Sequence, residues 1–266
     1  MPIVRNFFDL AKAEIFRTYG HHVTFDRKTI NKYGRSENIT SGIFRDIKPW
    51  CDGTPDNETY LTTNAVDSLS SDDASDTSVS IYIEGMTRAG DDLTFVTQTI
   101  VTDASDGRTK VSLSTPLCDV TRVRGVPVGE VYVYEDTAIS AGVPTDATKI
   151  HGQAVAEEGT SLQAGTSVAS NNYLLITDYW ATLGRAGGTA AVDVRLRIAN
   201  LGSAVFGDAF HTIEPFSISL GSGVAGAADR PFIIVEPNSR LVMTARSSAG
   251  TLSMEAGFRG YFADIL

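Results

Sequence analysis

From Val79 to Leu266 hydrophobic and polar positions alternate in short segments bounded by Gly, Asp, Ser and Pro. In Val79-Ser-Ile-Tyr-Ile-Glu, Val79, Ile81 and Ile83 share one face, and Ser80, Tyr82 and Glu84 share the other. In Val194-Arg-Leu-Arg-Ile, Arg195 and Arg197 face out. A period of two is that of a half-buried antiparallel strand. The pattern predicts an all-β fold of two antiparallel sandwich or jelly-roll-like units, preceded by an N-terminal helix and an extended arm. The first unit is expected over 66–140, with strands near Val66–Leu69, Val79–Glu84, Leu93–Thr102, Lys110–Ser114, Val120–Gly125 and Val131–Glu135. The second is expected over 141–266 and is jelly-roll-like, with strands near Ser161–Val168, Tyr173–Leu183, Ala191–Ala199, Phe210–Leu220, Phe232–Val235, Arg240–Ser247 and Leu252–Ala263. Asp106-Gly107, Asn171-Asn172 and Glu236-Pro-Asn supply turns.

Residues 1–65 read differently. Val4, Phe7, Phe8, Ala11 and Ile15 recur at helical spacing up to Gly20. This stripe can pack on the chain's own β structure or anchor on a partner subunit. His21 to Asn64 shows no sustained period and carries scattered aromatics, which suggests an arm that wraps a neighbour. The docking residues expected on this basis are Val4, Phe7, Phe8 and Ile15 in the helix, and Tyr33, Arg35 and Trp50 in the arm. Two later segments are apolar on both faces: the one holding Trp180, and the C-terminal one holding Phe258, Tyr261 and Phe262. A strand covered on both sides lies in a core or at a subunit contact, so these four are candidate oligomer contacts.

Composition narrows the function classes. At 266 residues and 42% hydrophobic, the chain can bury a sizeable core, and its 24 glycines fit a turn-rich β protein. A net charge of −10 argues against nucleic-acid and anionic-membrane partners. The first residues lack a signal-peptide core and no segment is long and apolar enough to span a bilayer, so synthesis in a cytosol without classical export is expected. Cys51 and Cys118 make no disulfide framework and read as buried thiols. The acidic stretch with Asp72, Asp73 and Asp76 lacks calcium-loop spacing and reads as a solvated turn. His21, His22, His151 and His211 form no metal or catalytic pattern, and the pairs Asp91-Asp92 and Glu157-Glu158 read as exposed. No nucleophile elbow or phosphate-binding loop is present. Neither catalytic activity nor a cofactor or metal is expected.

Asn31-Lys-Tyr-Gly-Arg-Ser-Glu-Asn-Ile, Arg45-Asp-Ile-Lys-Pro-Trp and Ser70-Ser-Asp-Asp-Ala-Ser-Asp-Thr together resemble a family of tailed-phage proteins, found especially in marine phages. That family carries an arm of the form "KFGRNPDI…EDIW", then "SSSANDT" and a "V.I.GLD" strand, whose place Val79-Ser-Ile-Tyr-Ile-Glu-Gly-Met takes here. Val192-Asp-Val-Arg-Leu-Arg and Ser253-Met-Glu-Ala-Gly-Phe-Arg-Gly are similar to its "VDVELR" and "SAGFDG" stretches. The resemblance covers about residues 30 to 260 and departs at Lys48-Pro-Trp-Cys-Asp. It implies a virion structural protein, made in the host cytoplasm. On this reading the chain is expected to form a homo-oligomer, with a trimer or higher ring among the open options, and to dock on other capsid, collar or tail proteins. It supplies no catalytic residue. The alternative is a receptor- or glycan-binding fibre protein using the second unit. Exposed aromatics in the loops Gly184–Gly188 or Gly221–Ala228 would favour it, but those loops are Gly/Ala-rich.

Overall fold

The computed structural model describes residues 7–25, 28–42, 44–48, 63–183, 191–200, 211–219 and 232–266. Helix α1 (Phe7–Tyr19) leads into strands β1 (Val23–Thr24), β2 (Thr29–Thr40) and β3 (Arg45–Asp46). Next come β4 (Val66–Ser71), β5 (Ser80–Ala89), β6 (Asp92–Val101), β7 (Val111–Leu117), β8 (Asp119–Arg124) and β9 (Val131–Glu135). A short hairpin, β10 (Ile139–Ser140) and β11 (Val143–Pro144), precedes β12 (Ile150–Ala154). The rest of the chain forms β13 (Gly165–Val168), β14 (Asn172–Leu183), β15 (Ala191–Asn200), β16 (His211–Ser219), β17 (Ile233–Val235), β18 (Ser239–Ser247) and β19 (Thr251–Ile265).

Two antiparallel sandwiches result. In the larger, one sheet runs β2-β19-β14-β17, and β1 continues the β2 edge along β19. The facing sheet runs β13-β18-β15-β16, and β3 extends the β13 edge along β18. The pairing is nested: β2 with β19, β13 with β18, β14 with β17 and β15 with β16. This is the jelly-roll-like order. Its core follows the period of two, with Val192, Val194 and Leu196 of β15 meeting Leu174, Ile176 and Phe258 of the opposite sheet.

The smaller sandwich packs β12-β9-β4-β7 against β6-β5-β8. Leu69, Ile81, Ile83, Val123, Val131 and Val133 form its interior. It is inserted between β3 and β13, that is, between the first and second strands of the nested order.

The sheets therefore cross the boundaries expected from sequence. The extended segment after the helix is present, but Thr29–Thr40 is ladder-bonded to β19 from Tyr261 back to Thr251. It is an integral edge strand rather than a wrapping arm, because its N–H and C=O groups find partners within the chain. The smaller sandwich runs past residue 140, since β12 pairs with β9.

Candidate functional site

Helix α1 lies on the outer face of the β2-β19-β14-β17 sheet. Phe7, Ala11, Ile15 and Tyr19, four residues apart, settle on Tyr173, Leu175, Phe232 and Ala263. Gly20 ends the helix in the left-handed region at φ 74°, and its N–H bonds the Phe16 carbonyl at 2.9 Å. Of the two packings open from sequence, the structure has the stripe on its own sheet. Ile15 is fully buried, so it is no anchor for a partner. Phe7 meets Phe232 edge-on at 5.3 Å, and Phe8 meets Phe25 at 4.9 Å and Tyr261 at 5.1 Å. Val4 and Trp50 lie outside the described residues.

The two-sided apolar strands are explained the same way. Phe258 points into the core with no exposure and offers nothing to a neighbour. Phe262 packs against the same core, and Tyr261 sits among the aromatics under the helix. Trp180 is half-buried on the outer face, its ring 5.6 Å from that of Tyr33. It lies over Gly257, where a Cβ would come within 2.8 Å of the indole and 2.3 Å of the Lys32 carbonyl, so only glycine fits. Arg35 is exposed and paired with Glu37 at 2.7 Å. Tyr33 and Trp180, singled out separately in the sequence, thus stand together as an aromatic pair. On the opposite sheet sequence reasoning missed a second cluster, in which the guanidinium carbons of Arg195 and Arg246 lie 3.9 and 4.6 Å from the Phe44 ring centre.

Two carboxylates of the acidic stretch are engaged inside the chain rather than left in solvent. Asp76 is fully buried; it accepts from the Ser71 hydroxyl, from Val128 N–H at 2.6 Å and from Gly129 N–H at 3.0 Å. Asp72 accepts from Glu130 N–H at 2.8 Å. Two carboxylates thereby clamp the loop from Gly125 to Gly129. Gly125 N–H adds a bond to the Gly159 carbonyl at 3.1 Å. Gly129 is wedged so closely that a Cβ would lie 2.2 Å from Asp72 Oδ1. Val126 and Val128 on this rigid tip are 89% and 66% exposed. Sequence showed Val-Pro-Val but nothing that separated a fixed apolar tip from an ordinary turn.

The remaining chemistry-bearing residues are accounted for by packing. His151 Nε2 lies 2.9 Å from Glu135 Oε1, which holds that carboxyl below its usual range. His21 Nδ1 meets the Tyr173 hydroxyl at 2.7 Å, and His22 stacks on Phe16. Burial pushes the Cys118 thiol up to about 12, so it is inert as a nucleophile; Cys51 lies outside the described residues. Asp91, Asp92, Glu157 and Glu158 are exposed. Among the described residues no group of three His, Cys, Asp or Glu could hold a metal, and no helix is long and apolar enough to cross a membrane.

At the junction of the two sandwiches several charged side chains are buried. Arg240 of β18 reaches Asp119 of β8, Nη1 to Oδ1 at 2.8 Å, with both side chains buried. Asp119 Oδ2 accepts from Ser167 Oγ at 2.5 Å. Lys32 of β2, 4% exposed, donates to the Thr121 carbonyl, and Arg122 donates to the Asn31 carbonyl at 3.2 Å. Burial pushes the Lys32 ammonium down to about 7; Arg122 acts in the same direction and Glu84 opposes it. An unfolded lysine titrates near 10.4, so between about 7 and 10 the unfolded chain binds more protons and stability rises with pH. Lys32→Met removes this dependence. Its melting temperature relative to the native chain should therefore be several degrees lower at pH 9.5 than at pH 7, read by thermal melts at both; an unchanged difference would show that Lys32 stays charged throughout.

Beside these residues a cavity of about 400 Å³ opens between the two sandwiches. The loops whose Gly/Ala-rich make-up counts against glycan recognition, Gly184–Gly188 and Gly221–Ala228, lie outside the described residues. No protein-family profile matches the sequence, and no curated protein matches it significantly.

Proposed function

We propose that this chain is a structural protein of a tailed-phage virion, made in the host cytoplasm, which associates with copies of itself and docks on a neighbouring head, collar or tail protein. The observation that carries the reading is the clamped tip. A chain gains nothing in water by holding Val126 and Val128 rigidly outward, whereas a partner gains apolar burial without an ordering cost. The resemblance of the segments around Asn31, Arg45 and Ser70 to phage proteins agrees with this. So does the jelly-roll-like order, by analogy of fold alone, since viral capsid proteins use that scaffold. In a symmetric particle many modest contacts act together at high effective concentration. With the Phe7 and Ile15 stripe spent on its own sheet, docking falls to the tip, to the Tyr33–Trp180 pair and to the outward side of α1, where Leu10 and Phe16 are exposed.

The test joins two measurements. Mass spectrometry of purified particles should find the chain in stoichiometric amount, and its absence overturns the assignment. Val126→Asp with Val128→Asp should leave the melting temperature unchanged but weaken incorporation or self-association by ten-fold or more. Each buried valine contributes about 1.5–3 kcal/mol. Equal incorporation of the double variant removes the tip from the interface.

A further inference from the structure

The junction cavity has a composition at odds with the rest of the chain. The protein carries a net charge of −10, yet the cavity is lined by Lys28, Lys32 and Arg122 against a single carboxylate, Glu84. Glu84 is already engaged, 3.5 Å from Arg122. Lys28 reaches Asp264 only at 3.4 Å and is largely exposed. Lys32 has three donors, and the hydrogen bond it makes among the described residues goes to the Thr121 carbonyl. Three basic side chains set against one lining carboxylate leave positive potential in a sheltered space, which an entering anion would offset.

The cavity also fits a body behind the charge. Its volume of about 400 Å³ is in the range of small-molecule sites, which favour junctions between structural units. Phe95, 48% exposed, and Asn171 also line it. Phosphate alone would leave the ring unused. We propose that this cavity binds a small anion of monosaccharide size, its carboxylate or phosphate group held by Lys28, Lys32 and Arg122 and its body resting on Phe95. The site is independent of the assembly role: it is built within one chain and lies apart from the Val126–Val128 tip.

Calorimetry and saturation-transfer NMR on the full chain test this, with D-glucuronate, D-glucose 6-phosphate, D-glucose and inorganic phosphate as probes. At least one of the two anionic sugars should bind, at least ten-fold more tightly than glucose, and the stronger one identifies the anionic group. Lys28→Ala, on a mostly exposed side chain whose loss leaves the fold intact, should weaken that binding by about five-fold, and Phe95→Ala by a similar factor. Failure of both anionic sugars, equal binding of glucose, or unchanged binding by Lys28→Ala overturns the proposal. Inorganic phosphate binding as tightly as the sugar phosphate, or Phe95→Ala without effect, overturns the assignment of a sugar-sized body. Because the readout is binding by the purified protein, its outcome does not depend on whether the chain is found in particles.

Discussion

Asp76→Ala should destabilise the smaller sandwich by about 3–5 kcal/mol, read as a lowered midpoint in urea. The side chain is fully buried and serves three donors: the Ser71 hydroxyl and the N–H groups of Val128 and Gly129. Removing it leaves those donors without their acceptor, each at about 1–3 kcal/mol where water cannot reach. Asp76→Asn is the informative companion. Its oxygen can still accept, but its amide presents N–H groups to N–H groups, so it should recover only part of the loss. The same variants should loosen the Val126–Val128 tip, and self-association should fall more than the melting temperature suggests. An Asp76→Ala protein that unfolds at the native urea concentration would show that the loop holds its shape without the carboxylate.

Asp119→Ala should cost a similar amount, about 3–5 kcal/mol, at the junction. It removes the carboxylate that faces the buried Arg240 guanidinium at 2.8 Å and takes the bond from Ser167. The cost arises from the cation left behind. Asp119→Leu combined with Arg240→Met should therefore recover most of the stability, and the double-mutant cycle should show coupling well above 1 kcal/mol. If the double variant is as unstable as the sum of the singles, the two side chains act separately. Loss of this pair should also let the two sandwiches unfold in separate steps, visible as a broadened or split calorimetric transition.

The strands of this molecule are legible where one face meets a continuous apolar layer. β15 alternates Val192, Val194 and Leu196 inward with Asp193, Arg195 and Arg197 outward, and its limits follow from that alone. β2 is illegible for a physical reason. Its inward positions after Ile30 are Lys32, Gly34 and Ser36, because there the strand faces the junction and a crossing segment. At Gly34 a Cβ would come within 2.3 Å of the Ile47 carbonyl and 2.4 Å of the Ala164 nitrogen, so close approach replaces apolar burial. β12 hides similarly, with Gly152 pressed on Val120 and Val123. Two-sided apolarity in β14 and β19 was correctly a sign of double cover, but the cover over Tyr173 and Leu175 is the chain's own helix. Of the candidate site residues, Tyr33 and Trp180 stand together on the surface, whereas the Asp76 clamp and the junction charges are brought together from strands far apart in sequence.

The nested order has a temporal side. Among the described residues the ladder partner of β2 is β19, so the larger sandwich cannot close until Ile265 has left the ribosome. The smaller one, complete once β12 has emerged, can finish much earlier. During translation Ile30 and Ile39 must wait, unpaired, beside a body that has already folded. Synthesis thus passes through a half-finished stage whose exposed edge invites the wrong strand, and a nascent-chain chaperone or slow codons after β12 would protect it.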